Sequence, residues 1–189
     1  PYRDRVLPTP TVRVLLRGAL LGIAGMLVVT ALTAPAGARL DPRRHVRLYV
    51  DPSMAAAHQE PVYRSRIGTR AQAFWVLPET YPTGQVRTRV RDYTGRARRA
   101  RTTPMLVVYG IPDRDCSGKY SGGGLSEEQY GPWVQEIATA AAAADRIAVV
   151  LEPDALAASI ECHDEDQRVR LMKDAVGRLR AAGVTTYVD

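Results

Sequence analysis

Two carboxylates in this chain lie where an α/β protein could use them for catalysis. Asp115 follows an apolar run at residues 105–109 that has the length of a buried strand. Asp154 follows a second such run at residues 147–151. Carboxylates just past the carboxyl ends of neighbouring parallel strands are where α/β barrels keep their active sites. We therefore expect Asp115 and Asp154 to lie in one cleft.

Acid–base catalysis is the chemistry that such a cleft would support. A carboxyl group held at an apolar strand end loses solvation, which favours its protonated form and makes Asp154 a candidate general acid. Asp115 would influence its protonation, and Arg114 would favour the charged form of one carboxylate. Glycoside hydrolysis needs such a pair, because one carboxyl protonates the leaving oxygen while the other activates or replaces water. On their spacing alone, however, both aspartates could instead cap helices or lie in solvent.

The elements that must position these carboxylates follow from alternating apolar and helical patterns. Strands are predicted at residues 46–50, 73–77, 105–109, 147–151 and 184–188. Helices are predicted to start at residue 54 and to run over residues 83–100, 126–144 and 166–182. Thr83 is expected to cap the first long helix, a capping box at residues 126–129 to open the second, and Gly183 to end the third. Strands and helices in this order predict an α/β fold with parallel strands and right-handed crossovers.

The two cysteines each lie shortly after one of the carboxylate segments. In an exported protein an even pair predicts a disulfide, so a bond between Cys116 and Cys162 would tie the two loops together. Two free buried thiols are the alternative. Two cysteines without a nearby histidine pair give no basis for a structural zinc site. We therefore expect no metal and no cofactor.

Residues 1–38 have the pattern of a secretory signal peptide. Arginines precede an apolar run at residues 18–32, and the run ends in the small residues Ala36-Gly37-Ala38. An uncleaved membrane anchor is the alternative. Cleavage would remove four arginines and one aspartate from a net charge of +6, which leaves +3. We therefore expect a secreted, extracellular protein that has no membrane contact after cleavage and does not bind nucleic acid.

An arginine-rich helix and a glycine-rich loop are two further patterns. The arginines of the helix predicted at residues 83–100 are interpreted as its solvated face, with a polyanion site as the alternative. They are Arg87, Arg89, Arg91, Arg96, Arg98 and Arg99. The glycines at residues 122–124 lack the Gly-Lys-Ser/Thr ending of a P-loop and do not directly follow a strand, so no nucleotide site is expected.

Several segments together resemble a known family. Residues 107–116 read Val-Val-Tyr-Gly-Ile-Pro-Asp-Arg-Asp-Cys, residues 120–123 read Tyr-Ser-Gly-Gly, and residues 151–156 read Leu-Glu-Pro-Asp-Ala-Leu. They resemble glycoside hydrolase family 6, the inverting endoglucanases and cellobiohydrolases of β-1,4-glucan. Residues 48–52, 81–82 and 187–189 match other segments of the family. The resemblance implies a distorted parallel β/α barrel of the glycosidase type, of which only the N-terminal part is present.

The resemblance also implies catalytic roles for individual residues. Asp154 corresponds to the general acid of the family. Asp115 corresponds to the aspartate that tunes this acid and helps to position the attacking water. Tyr109 corresponds to the tyrosine beside the distorted sugar at the cleavage point, and Ser121 to the serine of a mobile loop that contacts this sugar.

Further matches concern substrate binding and the frame of the site. Trp75 corresponds to an aromatic platform for the neighbouring glucose, although a core tryptophan is the alternative. Asp189 matches an active-site carboxylate, and Arg114 is assigned to the substrate-binding set. Cys116 and Cys162 match the first disulfide of the family. At residue 110, glycine stands where the family commonly has Asn or Asp, which is expected to weaken one hydrogen bond beside the active site.

The expected activity is hydrolysis of β-1,4-glucosidic bonds in cellulose or related β-glucan, with inversion of configuration and with Asp154 as the general acid. Residues 39–189 would be the N-terminal part of the catalytic domain, inactive by themselves. The full-length enzyme is expected to be a monomer whose partner is its polysaccharide substrate. A catalytically inactive sugar-binding fragment and an unrelated secreted α/β binding domain are the alternatives.

Overall fold

The computed structural model describes residues 46–116 and 122–189. The signal peptide predicted at residues 1–38 and the candidate substrate contact Ser121 lie outside the described residues. Within the two described ranges, no helix is long and apolar enough to span a membrane.

Four parallel strands form the sheet. They are β1 (Phe74–Val76), β2 (Met105–Val108), β3 (Ala148–Leu151) and β4 (Thr185–Val188). Their spatial order is the same as their order along the chain, β1-β2-β3-β4. The predicted α/β class with parallel strands is therefore confirmed. In the register of the sheet, Val108 lies opposite Leu151, so β2 and β3 end at the same edge.

Four helices of eight residues or more connect the strands. They are α1 (Val86–Arg99), α2 (Glu127–Ala141), α3 (Ala155–Cys162) and α4 (Glu165–Ala181). Ser126 opens α2 as predicted, since its backbone amide donates to the Gln129 side chain at 3.2 Å. Gly183 ends α4 at a positive φ of 69°. Helix α3 was not predicted, because the short apolar segment after Asp154 was interpreted as a loop.

The prediction that residues 46–50 form a strand of the sheet is wrong. Only Leu48 pairs there, through a single parallel bridge to Thr103. The pairing cannot continue because the chain turns at Asp51, whose carboxylate accepts hydrogen bonds from the amide and the hydroxyl of Ser53 at 2.9 and 2.8 Å. The short helical turn Ala55–His58 follows.

Helix α1 departs from the prediction at its start and on its polar face. It begins at Val86, and Thr83 does not cap it. Two of its arginines are structural rather than solvated. Arg96 forms an ion pair of 3.1 Å with the buried Asp51, and the guanidinium of Arg89 lies 5.3 Å from the centre of the Phe74 ring.

The core lies between the sheet and the long helices. Helix α1 packs on α2, and α2 packs on α4. The largest fully buried side chain is Trp133 of α2, whose indole nitrogen donates to the carbonyl of Tyr81 at 2.8 Å. Burial of apolar side chains of this size supplies most of the stability of such a layer.

The predicted disulfide is present between Cys116 and Cys162. It joins the segment after β2 to the last residue of α3, across 46 positions of sequence. It therefore ties the loop after β2 to the helix that follows β3.

Replacing both cysteines by serine is expected to lower the free energy of unfolding by about 4 kcal/mol, because the unfolded chain regains the entropy of an open loop. Urea unfolding of the oxidised protein and of the double variant, with circular dichroism as the readout, measures the difference. Cys116→Ser/Cys162→Ser with the stability of the parent would contradict this role of the bond.

Candidate active site

A cavity of about 320 Å³ opens at the carboxyl edge of the sheet. Tyr109, Arg114 and Asp115, which follow β2, line one side of it. Asp154, which follows β3, lines the other. The structure thus brings four of the predicted site residues around one space, as the strand-end argument requires.

Asp154 is placed by an unusual backbone conformation. Its φ is 66°, in the left-handed region, and its amide donates to a carboxylate oxygen of Asp189 at 3.3 Å. Its own carboxylate does not cap helix α3, although Asp154 directly precedes that helix. The expectation that the apolar strand end desolvates Asp154 is wrong for the described part of the chain, since this residue is exposed.

The desolvated carboxylate after β3 is Glu152, which sequence reasoning missed as a site residue. Its side chain is completely buried. It accepts hydrogen bonds from the amides of Gly110 and Ile111, at 2.9–3.1 Å, and from the hydroxyl of Tyr130 at 3.0 Å. The carboxylate therefore ties the segment after β3 to the segment after β2.

Burial sets the protonation of Glu152. Loss of solvent raises its pKa from 4.5 to about 7, and the hydrogen bonds from Ile111, Gly110 and Tyr130 together with the charge of Arg114 offset only part of this effect. Burial and the neighbouring carboxylate also raise the pKa of Tyr130 well above its ordinary value, so its hydroxyl remains a donor.

Arg114 holds the other wall of the cavity. Its guanidinium is buried, forms an ion pair of 2.8 Å with Glu79, and donates to the carbonyl of Tyr109 at 2.8 Å. Glu79 also accepts from the amide of Gly124 at 3.1 Å. Partial burial raises the pKa of Glu79, but backbone hydrogen bonds and Arg114 outweigh this, and the net pKa is lowered. The ion pair with Glu79 was not predicted.

Trp75 and Tyr109 form an aromatic corner beside the cavity. Their ring centres lie 5.7 Å apart, edge to face. Trp75 is 48% exposed, so the interpretation as a core tryptophan is wrong. The guanidinium of Arg114 lies 4.9 Å from the centre of the Tyr109 ring, a second contact that holds this tyrosine in place. An exposed indole next to a carboxylate cleft can stack on the face of a sugar ring.

The loops that carry the carboxylates are held in sparsely populated backbone conformations. Asp113 and Asp115 both have φ of 48°, and Glu152 has φ of 47°. Left-handed conformations at residues other than glycine cost free energy and persist only where the surroundings enforce them. Here the surrounding restraints are the Glu152 hydrogen bonds and the disulfide at Cys116.

Arg168 is a second residue that sequence reasoning missed. Although it belongs to α4, it is only 1% exposed and lines the cavity. It pairs with Asp164 at 2.7 Å and donates to the carbonyl of Asp113 at 2.8 Å. The signal that could have identified Arg168 is its spacing of four from Asp164. Nothing in that spacing, however, reveals that the guanidinium reaches the loop after β2.

This arrangement can support proton transfer. Asp115 and Asp154 face the same cavity, and Asp189 reaches the backbone of Asp154 from β4. Among the described residues, no cluster of three or more histidine, cysteine or carboxylate side chains could hold a metal ion. The carboxyl edge of a parallel sheet is where α/β barrel enzymes keep their active sites, and a pair of carboxylates is what glycoside hydrolysis requires.

The family model for Glycosyl hydrolases family 6 matches residues 33–189, and the chain belongs to this family. Endoglucanase A of Cellulomonas fimi is 40% identical over 148 residues, which are 75% of this chain and 32% of that protein. Endoglucanase A of Thermobispora bispora is 34% identical over 172 residues, which are 86% of this chain and 36% of that protein. The chain therefore spans about a third of the length of these curated relatives.

A solved structure agrees with this assignment. The endoglucanase Cel6 of Mycobacterium tuberculosis, in complex with methyl-cellobiosyl-4-deoxy-4-thio-β-D-cellobioside, superposes with a TM-score of 0.72 at 31% identity. The match covers 78% of this chain and 53% of that one. The predicted family is confirmed, and so is a fold that corresponds to part of its catalytic domain.

The buried Glu152 predicts a pH-dependent stability. Because its folded pKa of about 7 lies above the ordinary 4.5, the unfolded chain releases this proton first as the pH rises. Stability from this group is thus fully present below pH 4.5 and is lost as the pH rises through about 7, by up to about 3 kcal/mol. Urea unfolding across this pH range measures the slope.

Glu152→Gln is the variant that tests the assignment. The amide oxygen can still accept from the Gly110 and Ile111 amides, and the amide nitrogen can donate to the Tyr130 oxygen. We expect this variant to lose the pH-dependent part of the stability while it remains folded. If the free energy of unfolding changed with pH in the same way for the parent and for Glu152→Gln, Glu152 would not titrate in this range.

Proposed function

We propose that this chain forms part of an enzyme that hydrolyses β-1,4-glucosidic bonds in cellulose or a related β-glucan with inversion, and that Asp154 is the general acid. The observation that carries the proposal is the convergence of Asp154, Asp115 and Tyr109 on one cavity. In this reaction one carboxyl protonates the departing oxygen, while a second group assists the attack of water.

Because Asp154 is exposed, whatever covers the cavity must shield its carboxylate from water. In the described residues Asp154 is open to solvent, so the apolar strand end alone does not shield its carboxylate from water. Sugar that binds over Asp154 would displace this solvent and favour the neutral acid. Asp115, on the opposite wall, would then act on the proton and water arrangement rather than donate directly.

The substrate class rests on the aromatic corner and on the relatives. Trp75 presents an exposed indole perpendicular to the Tyr109 ring, which suits a neutral sugar ring better than a charged ligand. The solved relative from Mycobacterium tuberculosis is in complex with methyl-cellobiosyl-4-deoxy-4-thio-β-D-cellobioside. We assign Ser121, Arg114 and Asp189 to contacts with the same glucan chain. We further propose that the protein is secreted and that the full-length enzyme is a monomer.

An inactive sugar-binding protein with the same cleft is the competing function, and bond cleavage separates the two. Because the chain belongs to the family, an unrelated binding domain is not favoured. Both properties should be measured on the full-length protein that contains this chain. Binding of cello-oligosaccharide without release of reducing ends would favour the inactive sugar-binding protein.

Asp154→Asn is expected to reduce cleavage of unactivated β-1,4-glucan by about 10²–10⁴-fold, because the amide keeps the shape of the side chain but cannot donate the proton. A glucoside with a strongly acidic leaving group needs little protonation, so its rate should fall much less. Initial rates on both substrates, after oligosaccharide binding has been verified, measure the contrast.

Asp92→Asn is the matched control, because Asp92 is an exposed aspartate on α1 and does not line the cavity. It should leave both rates unchanged. Cleavage of the natural polymer by Asp154→Asn at close to the parent rate would remove Asp154 from the role of general acid.

Trp75→Ala is expected to weaken cello-oligosaccharide binding by roughly 3- to 10-fold, since it removes one stacking surface. Trp75→Phe keeps an aromatic face and should retain most of the affinity. Titration calorimetry with cellotetraose measures both. Unchanged affinity in Trp75→Ala would mean that the sugar does not contact this ring.

A further inference from the structure

A second cavity lies at the opposite end of the sheet from the candidate active site. It has a volume of about 270 Å³ and is bordered by Thr103 and Pro104, which precede β2, and by Arg146, which precedes β3. The candidate active site follows the carboxyl ends of the same strands. Nothing in the proposed hydrolysis uses this end of the molecule.

Guanidinium groups dominate the lining of this cavity. Arg47, Arg98, Arg101 and Arg146 line it, and Asp145 is the one carboxylate among its lining residues. A smaller cavity of about 190 Å³ shares Thr94 and Arg98 with it and adds a fifth arginine, Arg91. We call the two adjoining cavities the arginine groove.

The arginines of helix α1 fall into two groups by their contacts. Arg96 and Arg89 are engaged within the fold, with Asp51 and with the Phe74 ring respectively. Arg91 and Arg98 are spaced by two helical turns on one face, together with Thr94. Both line the groove and are exposed.

The charges of the groove are not neutralised by the described part of the chain. Across residues 46–116 and 122–189, the ion pairs involve other arginines, namely Arg96, Arg114, Arg168, Arg170 and Arg178. The five groove arginines therefore present an excess of positive charge around a concave surface. Such a concentration raises the local density of anions.

The chemistry of the lining indicates what kind of anion fits. Guanidinium is planar and weakly hydrated, and it binds carboxylate through two parallel hydrogen bonds. No aromatic residue lines either cavity, so the groove offers no stacking surface for nucleic-acid bases. A carboxylate-bearing polymer, which is recognised through its charges alone, matches these features better than a nucleic acid.

We propose that the arginine groove binds an acidic polysaccharide, a chain of uronate sugars whose carboxylates pair with its guanidinium groups. This site is separate from the cleft that would hold neutral glucan. A protein of this family would then hold an anionic polymer at one end of its sheet while the other end faces its substrate. The inference does not depend on catalysis, because the binding can be measured without cleavage.

The test is fluorescence anisotropy with a labelled oligogalacturonide at low salt. The parent protein should bind it, and added salt should weaken the binding. The triple variant Arg47→Gln/Arg98→Gln/Arg146→Gln should bind about tenfold more weakly, because it loses three exposed ion pairs with the ligand. Asp145→Asn removes the carboxylate of the groove and should bind about twofold more tightly. Circular dichroism establishes that each variant is folded.

The matched control is Arg66→Gln/Arg70→Gln/Arg180→Gln, which removes the same charge from exposed positions outside the groove. It should bind like the parent. Equal losses in the two triple variants would overturn the proposal, because net charge alone would then explain the binding. Absence of binding by the parent would also overturn it, and so would tighter binding of single-stranded DNA than of oligogalacturonide. If Asp154→Asn did not affect cleavage, the proposed role of Asp154 would fail, but the result of the oligogalacturonide binding experiment would still stand.

Discussion

The buried carboxylate of Glu152 is the group on which the carboxyl edge of the sheet depends. Neighbouring strands separate after their last paired residues, and the amides that follow must find other acceptors if they are buried. Glu152, one residue beyond β3, accepts from Gly110 and Ile111, just beyond β2. Removing the acceptor would leave those donors unsatisfied in the interior, which costs more than the hydrogen bonds contribute. The single carboxylate of Glu152 therefore positions both loops, the one that carries Asp115 and the one that carries Asp154.

Two further ties join the loop after β2 to the region where α3 ends, and they differ in kind. The disulfide between Cys116 and Cys162 restricts the unfolded chain as well as the folded one. Arg168 acts only in the folded state, where its guanidinium joins Asp164 to the backbone of Asp113. A covalent and an electrostatic restraint thus both join the loop after β2 to the C-terminal end of α3. This combination explains how several left-handed aspartate and glutamate residues persist side by side.

Local patterns in the sequence predicted what depends on local forces. Apolar runs identified the four strands, and the capping box identified the start of α2. The meeting of Asp115 and Asp154 followed from the rule that parallel strands end together, whereas Tyr109 was assigned to the site by the family resemblance. The roles of Glu152 and Arg168 could not be predicted, because each depends on which distant amide or carbonyl lies opposite a side chain. The same limit explains the error at Asp154, since its exposure is set by neighbours in space and not by the apolar strand before it.

The glycine at residue 110 allows close packing beside the candidate active site. A Cβ atom at Gly110 would lie 2.8 and 2.9 Å from two ring carbons of Trp133 and 3.2 Å from the ring of Pro78. The indole of Trp133 is fully buried and held by its bond to Tyr81, so it cannot easily move away. Glycine therefore permits the close approach of the Trp133 indole, while the amide of residue 110 still donates to Glu152. Glycine at residue 110 thus allows close aromatic packing beside the site, while the backbone hydrogen bond that positions the site is kept.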